Sequence, residues 1–181
     1  MREIEIKIKV KDLESIKKQL EEKGCILSNP ISQRDVIYSK DGDTQEWGNA
    51  KEGDITIRIR HLNNGAELTL KKQKSSELDN LEYETEVKDP EALHNILLTL
   101  GYTPIVEVKK VRQKGRMGKY EICLDQVEQL GSFVELETLT SDDVDPERTQ
   151  EELYRVIESF GLSRNDEEVR GYDTQIYQLS H

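Results

Sequence analysis

Alternation of apolar and charged residues predicts β-strands along most of this chain. The opening run shows the pattern clearly, because Ile4, Ile6, Ile8 and Val10 alternate with glutamates and lysines. A period of two is typical of a strand with one apolar and one charged face. The whole pattern predicts about eight strands, the number at which a closed barrel holds side chains or one small ligand. The predicted strands cover residues 3–10, 34–38, 55–60, 66–72, 81–87, 105–112, 119–125 and 132–138.

Three amphipathic helices are predicted, two between these strands and one after the last strand. An aspartate that can cap the N-terminus precedes each helix, and apolar residues then recur at helical spacing. A glycine follows each helix, which is the residue best suited to a left-handed C-terminal turn. The capping residues are Asp12, Asp89 and Asp145, and the glycines are Gly24, Gly101 and Gly161.

An internal repeat favours one intertwined domain. The segment VKDLESIKKQLEEKG at residues 10–24 realigns with VKDPEALHNILLTLG at residues 87–101. An alternating strand rich in glutamate precedes each copy. The sequence therefore predicts two related strand–helix–strand halves within a single domain over residues 1–181.

Two polar stretches interrupt the periodicity and are predicted to be loops. They cover residues 39–54 and residues 73–80. Each is either exposed linkage or a lid over a site, with Trp47 or Lys51 as the lid contacts.

The composition narrows the classes of partner. The chain of 181 residues carries 37 acidic and 26 basic residues, a net charge of −11, which argues against a nucleic-acid partner but not against a small anion. A signal peptide and an apolar run long enough to span a bilayer are both missing from the sequence. Its two cysteines, Cys25 and Cys123, form no C-x-x-C pair. We expect a cytoplasmic protein that binds neither nucleic acid nor membrane.

The charged residues lie on one face of each predicted strand. If the helices cover the apolar faces outside a closed barrel, the charged faces must point into the lumen. An antiparallel sheet with one wet face striped by salt bridges explains the same pattern, so periodicity leaves both interpretations open. In the barrel, buried ionised groups would need pairing, hydration, a metal or a ligand.

In the barrel interpretation, the charges divide into an acidic and a basic wall. Carboxylates form a hard-oxygen site suited to Mg²⁺ or Mn²⁺, and arginine and lysine suit phosphate oxygens. Such a layout supplies the charge neutralisation and positioning that phosphoryl transfer requires. The acids are Glu3, Glu5, Asp125, Glu135 and Glu137, and the bases are Arg58, Arg60, Lys71, Lys110 and Arg112.

The same residues, in this order, resemble the CYTH superfamily of triphosphate tunnel metalloenzymes, which includes class IV adenylyl cyclases and thiamine triphosphatases. The family hallmark is an N-terminal E-x-E-x-K motif, present here as Glu3, Glu5 and Lys7. The segments RIR, LTLKK, YETEV, KVR and EICLDQVEQLGSFVELE follow in family order, and RGYDTQIYQL resembles the closing segment. Because the chain opens directly on the first strand, it resembles the short prokaryotic cyclase-like branch. The resemblance covers almost the whole chain apart from residues 39–54.

The resemblance implies an α+β fold, an eight-stranded antiparallel closed barrel with helices packed outside and a triphosphate bound inside. It implies Mg²⁺ or Mn²⁺ as cofactor, held by the five acids above. The implied triphosphate ligands are Lys7, Arg58, Arg60, Lys71, Lys110 and Arg112, of which Lys7, Arg58 and Arg60 are the candidate catalytic residues. Further tunnel acids implied by YETEV are Glu84 and Glu86.

The predicted function is that of a metal-dependent enzyme acting on a triphosphate. The first choice is a class IV adenylyl cyclase-like reaction, ATP to cyclic AMP and pyrophosphate. The same residues suit a tripolyphosphatase or a thiamine or nucleoside triphosphatase, and a non-catalytic triphosphate-binding module and a structural domain are further alternatives. Lys7 holds phosphate, or acts as a base if it is buried among other cations. The expected partner is ATP or another small triphosphate, and a homodimer is an alternative to a monomer.

Overall fold

Eight antiparallel strands close into a barrel in the computed structural model, which describes residues 2–40 and 51–180. The strands are β1 (Arg2–Val10), β2 (Ile31–Lys40), β3 (Ile55–Leu62), β4 (Gly65–Ser76), β5 (Asp79–Val87), β6 (Tyr102–Met117), β7 (Tyr120–Val127) and β8 (Gly131–Thr140). Their order around the barrel is β1-β5-β4-β3-β2-β6-β7-β8. The predicted α+β barrel fold is confirmed.

The three predicted helices are present, and their ends follow the predicted chemistry. They are α1 (Leu13–Glu22), α2 (Pro90–Thr99) and α3 (Pro146–Glu158). In each, the aspartate before the helix accepts a hydrogen bond from a backbone amide of the first turn, and the glycine after it has a positive φ. A fourth helix, α4 (Tyr172–Ser180), was not predicted. Among the described residues, no helix has both the length and the hydropathy needed to cross a bilayer.

The helices cover the apolar face of the barrel, so the charged faces point inward. Ile4, Ile6 and Ile8 of β1 are fully buried in an outer core. Side chains of α1 and α3, including Leu20 and Leu153, complete this core. The barrel interpretation of the one-sided charge is therefore confirmed over the wet-sheet interpretation.

Strand pairing is consistent with the two predicted halves. The units β1–α1–β2 and β5–α2–β6 lie side by side, because β1 pairs with β5 and β2 pairs with β6. The loop predicted at residues 73–80 is wrong: β4 continues to Ser76, β5 begins at Asp79, and only a tight turn separates them. Of the other predicted loop, residues 41–50 with Trp47 lie outside the described residues, and Lys51 is exposed.

The seam between β1 and β5 is short and is reinforced by one buried ion pair. Only three cross-strand residue pairs join the two strands. Arg2 donates two hydrogen bonds to Asp79, at 2.7 Å from Nε and 2.8 Å from Nη2. Arg2 also donates to the backbone oxygens of Asp142 and Val144 at the start of the β8–α3 connection. One arginine therefore links the barrel seam to the chain that leads into α3.

Substituting Arg2 with methionine should destabilise the protein strongly. The change leaves the Asp79 carboxylate buried without its cation, which typically costs about 3–5 kcal/mol of unfolding free energy. The matched control is Arg34→Met, which breaks a pair with Glu107 that is roughly half exposed and should cost less than about 1 kcal/mol. Urea denaturation measures both losses, and equal losses would contradict this role for Arg2.

Candidate active site

The barrel encloses a polar cavity of about 990 Å³. All eight strands contribute to its lining, because each places every second side chain in the lumen. The strand residues include Glu3, Asp35, Arg58, Lys71, Glu82, Lys110, Glu121 and Glu135, and the start of α4 adds Tyr172.

On one side of the cavity, two of the predicted metal ligands are paired with predicted phosphate ligands. Arg112 donates to Asp125 at 2.7 Å from its Nε atom, and it also contacts Glu135. Lys110 lies 3.2 Å from the same Asp125. Burial alone would raise the pKa of Asp125, but Arg112 and then Lys110 lower it below its ordinary value. Without a ligand, Asp125 and Glu135 neutralise this part of the basic wall.

On the opposite side, a second network joins acids and bases of β1 to β5. Arg60 forms a two-point pair with Asp35, with both N–O distances 2.8 Å. The Lys71 ammonium lies 2.7 Å from Glu3 and 3.0 Å from Glu82. Burial acts to raise the pKa of Glu3, but Lys71 outweighs it and lowers the pKa to about 2. Each of these three carboxylates therefore already lies within ion-pair distance of a cation.

Glu5 and Glu137 differ, because no cation of the described residues lies within ion-pair distance of them. They face each other as a cross-strand pair of β1 and β8. Carboxylate oxygens of Glu3, Glu5 and Glu137 lie within 4.8 Å of one another. Burial, and then the charge of Glu135, raises the pKa of Glu5 to about 7, and burial and then Glu3 raise the pKa of Glu137 well above its ordinary value. Close, unneutralised oxygen ligands of this kind fit a divalent cation.

Two bases retain donors that are not taken up by carboxylates. Lys7 is 1% exposed, and its ammonium lies 4.6 Å from the Tyr172 ring centre instead of in an ion pair with a described carboxylate. Arg58 donates to Thr69 and lies 3.6 Å from Asp35, while its buried Nε atom has no hydrogen-bond acceptor. Such donors suit the oxygen atoms of a phosphate chain.

Ten of the predicted site residues line the cavity together with Glu84, whereas Asp125 and Glu86 do not. The lining residues among the predicted acids and bases are Glu3, Glu5, Lys7, Arg58, Arg60, Lys71, Lys110, Arg112, Glu135 and Glu137, and Asp125 lies buried behind Lys110 and Arg112. Glu84 is exposed within the lining, whereas Glu86 is exposed beyond it. Glu86 therefore does not belong to the tunnel acids, because it lies at the exposed end of β5.

Three functional positions escaped the sequence analysis. Asp35 and Glu82 complete the ion pairs, and Tyr172 lies against two lysines. The alternation in LEYETEV places Glu82 on the inward face of the strand, and a possible ion pair with Lys71 could have identified it as a site residue. Asp35 could not be assigned to a face from the sequence, because its neighbour Arg34, on the outer face, is also charged and the two break the alternation.

Without a metal, the protein should lose stability as the pH rises from about 5 to 8. The folded-state pKa of Glu5 is about 7, above its ordinary value of 4.5, so its stabilising contribution is present below pH 4.5 and lost through pH 7. The loss is at most about 3 kcal/mol. Burial and then Arg34 lower the pKa of His61, which acts in the opposite direction.

The measurement is therefore a difference between wild type and Glu5→Gln in thermal unfolding across this pH range. We expect the variant to be the more stable at pH 8 and the gap to close toward pH 5. A gap that stays constant with pH would contradict the assignment of a raised pKa to Glu5.

Comparison with known proteins places this barrel in a family. A sequence model of the CYTH domain matches residues 1–172. A candidate adenylate cyclase of Methanocaldococcus jannaschii is 28% identical over 168 residues, 92% of this chain and 93% of that protein. An adenylate cyclase, CyaB, of Aeromonas hydrophila is 26% identical over 176 residues, 95% of this chain and 87% of that protein.

A solved structure agrees with the sequence matches. The PH1012 protein of Pyrococcus horikoshii superposes with a TM-score of 0.80 and is 27% identical, covering 96% of this chain and 98% of that one. CYTH proteins are adenylyl cyclase-like or triphosphatase enzymes that use divalent metals. With a match from the first strand to the start of α4, this chain belongs to the CYTH domain family.

Proposed function

We propose that this protein is a metal-dependent class IV adenylyl cyclase-like enzyme that converts ATP to cyclic AMP and pyrophosphate. The observation that carries the proposal is the unneutralised pair of buried carboxylates, Glu5 and Glu137, in one cavity with the free donors of Lys7 and Arg58. In a metal–triphosphate complex, the metal ion would pair with these acids and the phosphate oxygens would pair with these bases. The names of the two adenylate cyclase relatives support the choice of reaction.

The metal ligands we propose begin with Glu3, Glu5 and Glu137, whose oxygens already lie together. Asp125 and Glu135 can join them once Arg112 exchanges these carboxylates for phosphate oxygens. Mg²⁺ and Mn²⁺ are the proposed ions because all five ligands are hard carboxylate oxygens. The bound ion would supply charge neutralisation and Lewis-acid activation at a phosphoryl oxygen.

The basic residues bind and orient the triphosphate. Lys7 and Arg58 offer donors at once, and Lys71 becomes available when a cation takes its place beside Glu3. Lys110 and Arg112 neutralise charge on the departing pyrophosphate when the ribose 3′-oxygen attacks the α-phosphorus. Arg60 keeps its two-point pair with Asp35 and holds this part of the basic wall in place. The cavity volume of about 990 Å³ is at the upper end of small-molecule sites, which suits a nucleotide.

Hydrolysis of a triphosphate is the alternative, because the same groups would hold a phosphate chain while water attacks its terminal phosphorus. Tripolyphosphate, thiamine triphosphate and nucleoside triphosphates are its candidate substrates. A cytoplasmic location stays part of the proposal, and both cysteines, Cys25 and Cys123, are free thiols.

Purified protein incubated with ATP and Mg²⁺ or Mn²⁺ should form cyclic AMP and pyrophosphate in equal amounts. The variant Glu137→Gln should lower kcat/KM on the order of 10²-fold, because a carboxylate proposed to hold the charge-neutralising metal ion is lost. The matched control, Glu86→Gln, changes an exposed glutamate beyond the cavity lining and should retain wild-type activity. Chromatography of the products measures both.

The other outcomes separate the alternatives. Orthophosphate from tripolyphosphate or thiamine triphosphate, with no cyclic AMP from ATP, would replace the cyclase with a hydrolase. Metal-dependent binding without any product would indicate a binding module. Equal losses in Glu137→Gln and Glu86→Gln would contradict the site itself.

A further inference from the structure

The N-terminus of α4 is clamped to the β4–β5 turn by one carboxylate. The Oε2 atom of Glu77 accepts a hydrogen bond from the Gly171 amide at 2.6 Å and another from Thr174 Oγ1 at 3.0 Å. Both donors are uncharged, and they lie more than ninety residues away along the chain. Glu77 lines the same cavity as the proposed site.

The clamp depends on a close approach of the backbone at Gly171. A Cβ atom at this position would lie 2.3 Å from Asp173 Oδ1 and 3.3 Å from Glu77 Oε2. The preceding residues are fastened to β1, because the Glu168 amide donates to the Lys7 carbonyl at 2.8 Å. The chain that enters α4 is thus fixed on two sides, by β1 and by the β4–β5 turn.

Directly after this clamp, Tyr172 lies between two proposed triphosphate ligands. Its ring centre is 4.6 Å from the Lys7 ammonium and 4.9 Å from the Lys110 ammonium. Phe133 packs edge-on against the same ring, at 5.0 Å between ring centres. The negative face of an aromatic ring attracts ammonium groups. The position of the ring therefore influences where Lys7 points, whereas Lys110 also has an ion pair with Asp125.

We propose that Glu77 is a positioning residue for the triphosphate site. Through Gly171 and Thr174 it fixes Tyr172, and Tyr172 in turn sets the position of Lys7, whereas Lys110 is also held by Asp125. The inference rests on the proposed function for its ligand, but the arrangement of the lysines exists without one. Because both donors to Glu77 are uncharged, glutamine can accept the same hydrogen bonds and alanine cannot.

The first test needs no ligand and measures the lysines directly. Competitive labelling of amino groups, read by mass spectrometry, reports how accessible each lysine is in the folded protein. In Glu77→Ala, the labelling rate of Lys7 should rise several-fold, while those of Lys71, paired with Glu3 and Glu82, and of Lys110, paired with Asp125, stay unchanged. In Glu77→Gln, all three rates should stay near those of wild type.

The second test measures binding of tripolyphosphate with Mg²⁺ by calorimetry. Glu77→Ala should bind about tenfold more weakly, as is typical when the residue that orients a ligating side chain is lost, and Glu77→Gln should recover most of the affinity. If Glu77→Ala does not fold, Thr174→Val with Thr174→Ser as its matched control removes one of the two hydrogen bonds instead.

The outcomes separate this inference from the proposed function. Unchanged labelling in Glu77→Ala, or a parallel rise at Lys71, would overturn the positioning role even if wild type binds tripolyphosphate. A wild type that binds and converts no triphosphate would overturn the proposed function, and a selective rise at Lys7 would still establish that Glu77 positions this lysine.

Discussion

The cost of removing charged side chains from water is the constraint on which this barrel depends. Its helices cover the apolar faces of the strands, so the charged faces of the strands point into the lumen. A buried ion is strongly unfavourable unless an opposite charge and hydrogen bonds compensate it. The lumen meets this requirement with pairs that cross from strand to strand, such as Arg60 with Asp35 and Arg112 with Asp125.

The neutralisation of charge is incomplete, and the charged groups that lack an ion pair within the described residues define the candidate site. Glu5 and Glu137 lie together with no cation of residues 2–40 and 51–180 at ion-pair distance, and the Lys7 ammonium lies against an aromatic ring. A divalent ion and a triphosphate would complete the neutralisation from both directions. Each ligand would also help the other, because a cation beside Glu3 releases Lys71 and a phosphate beside Arg112 releases Asp125. Metal and triphosphate binding are therefore expected to be coupled.

Most of the barrel was predictable because apolar residues that recur every two positions indicate one face of a strand, and those that recur about every 3.6 positions indicate one face of a helix. Asp12, Asp89 and Asp145 marked helix starts for the same local reason. Residues 73–80 were mistaken for a loop because they are mostly polar, whereas Asp79 is buried by its long-range pair with Arg2 of β1. Helix α4 was missed because its apolar side chains pack into the barrel end, a tertiary contact that carries no local signal.

The alternation pattern and the family resemblance predicted which residues form the site, but not which acids pair with which bases. Sequence assigned five acids to the metal, whereas the folded chain pairs Asp125 and Glu135 with Arg112. Glu5 and Glu137 have no cation partner within the part of the chain that the structure describes. Such partner choice depends on strand register and side-chain reach across the lumen. Neither is encoded in the alternation along one strand.

Calorimetric titration of Mn²⁺ into the protein alone tests the central claim most directly, because it measures the acidic cluster without any substrate. The account predicts that wild type and Glu86→Gln bind Mn²⁺ alike and that Glu5→Gln and Glu137→Gln lose this binding. Equal Mn²⁺ affinity in wild type and Glu137→Gln, or no binding by wild type, would contradict it.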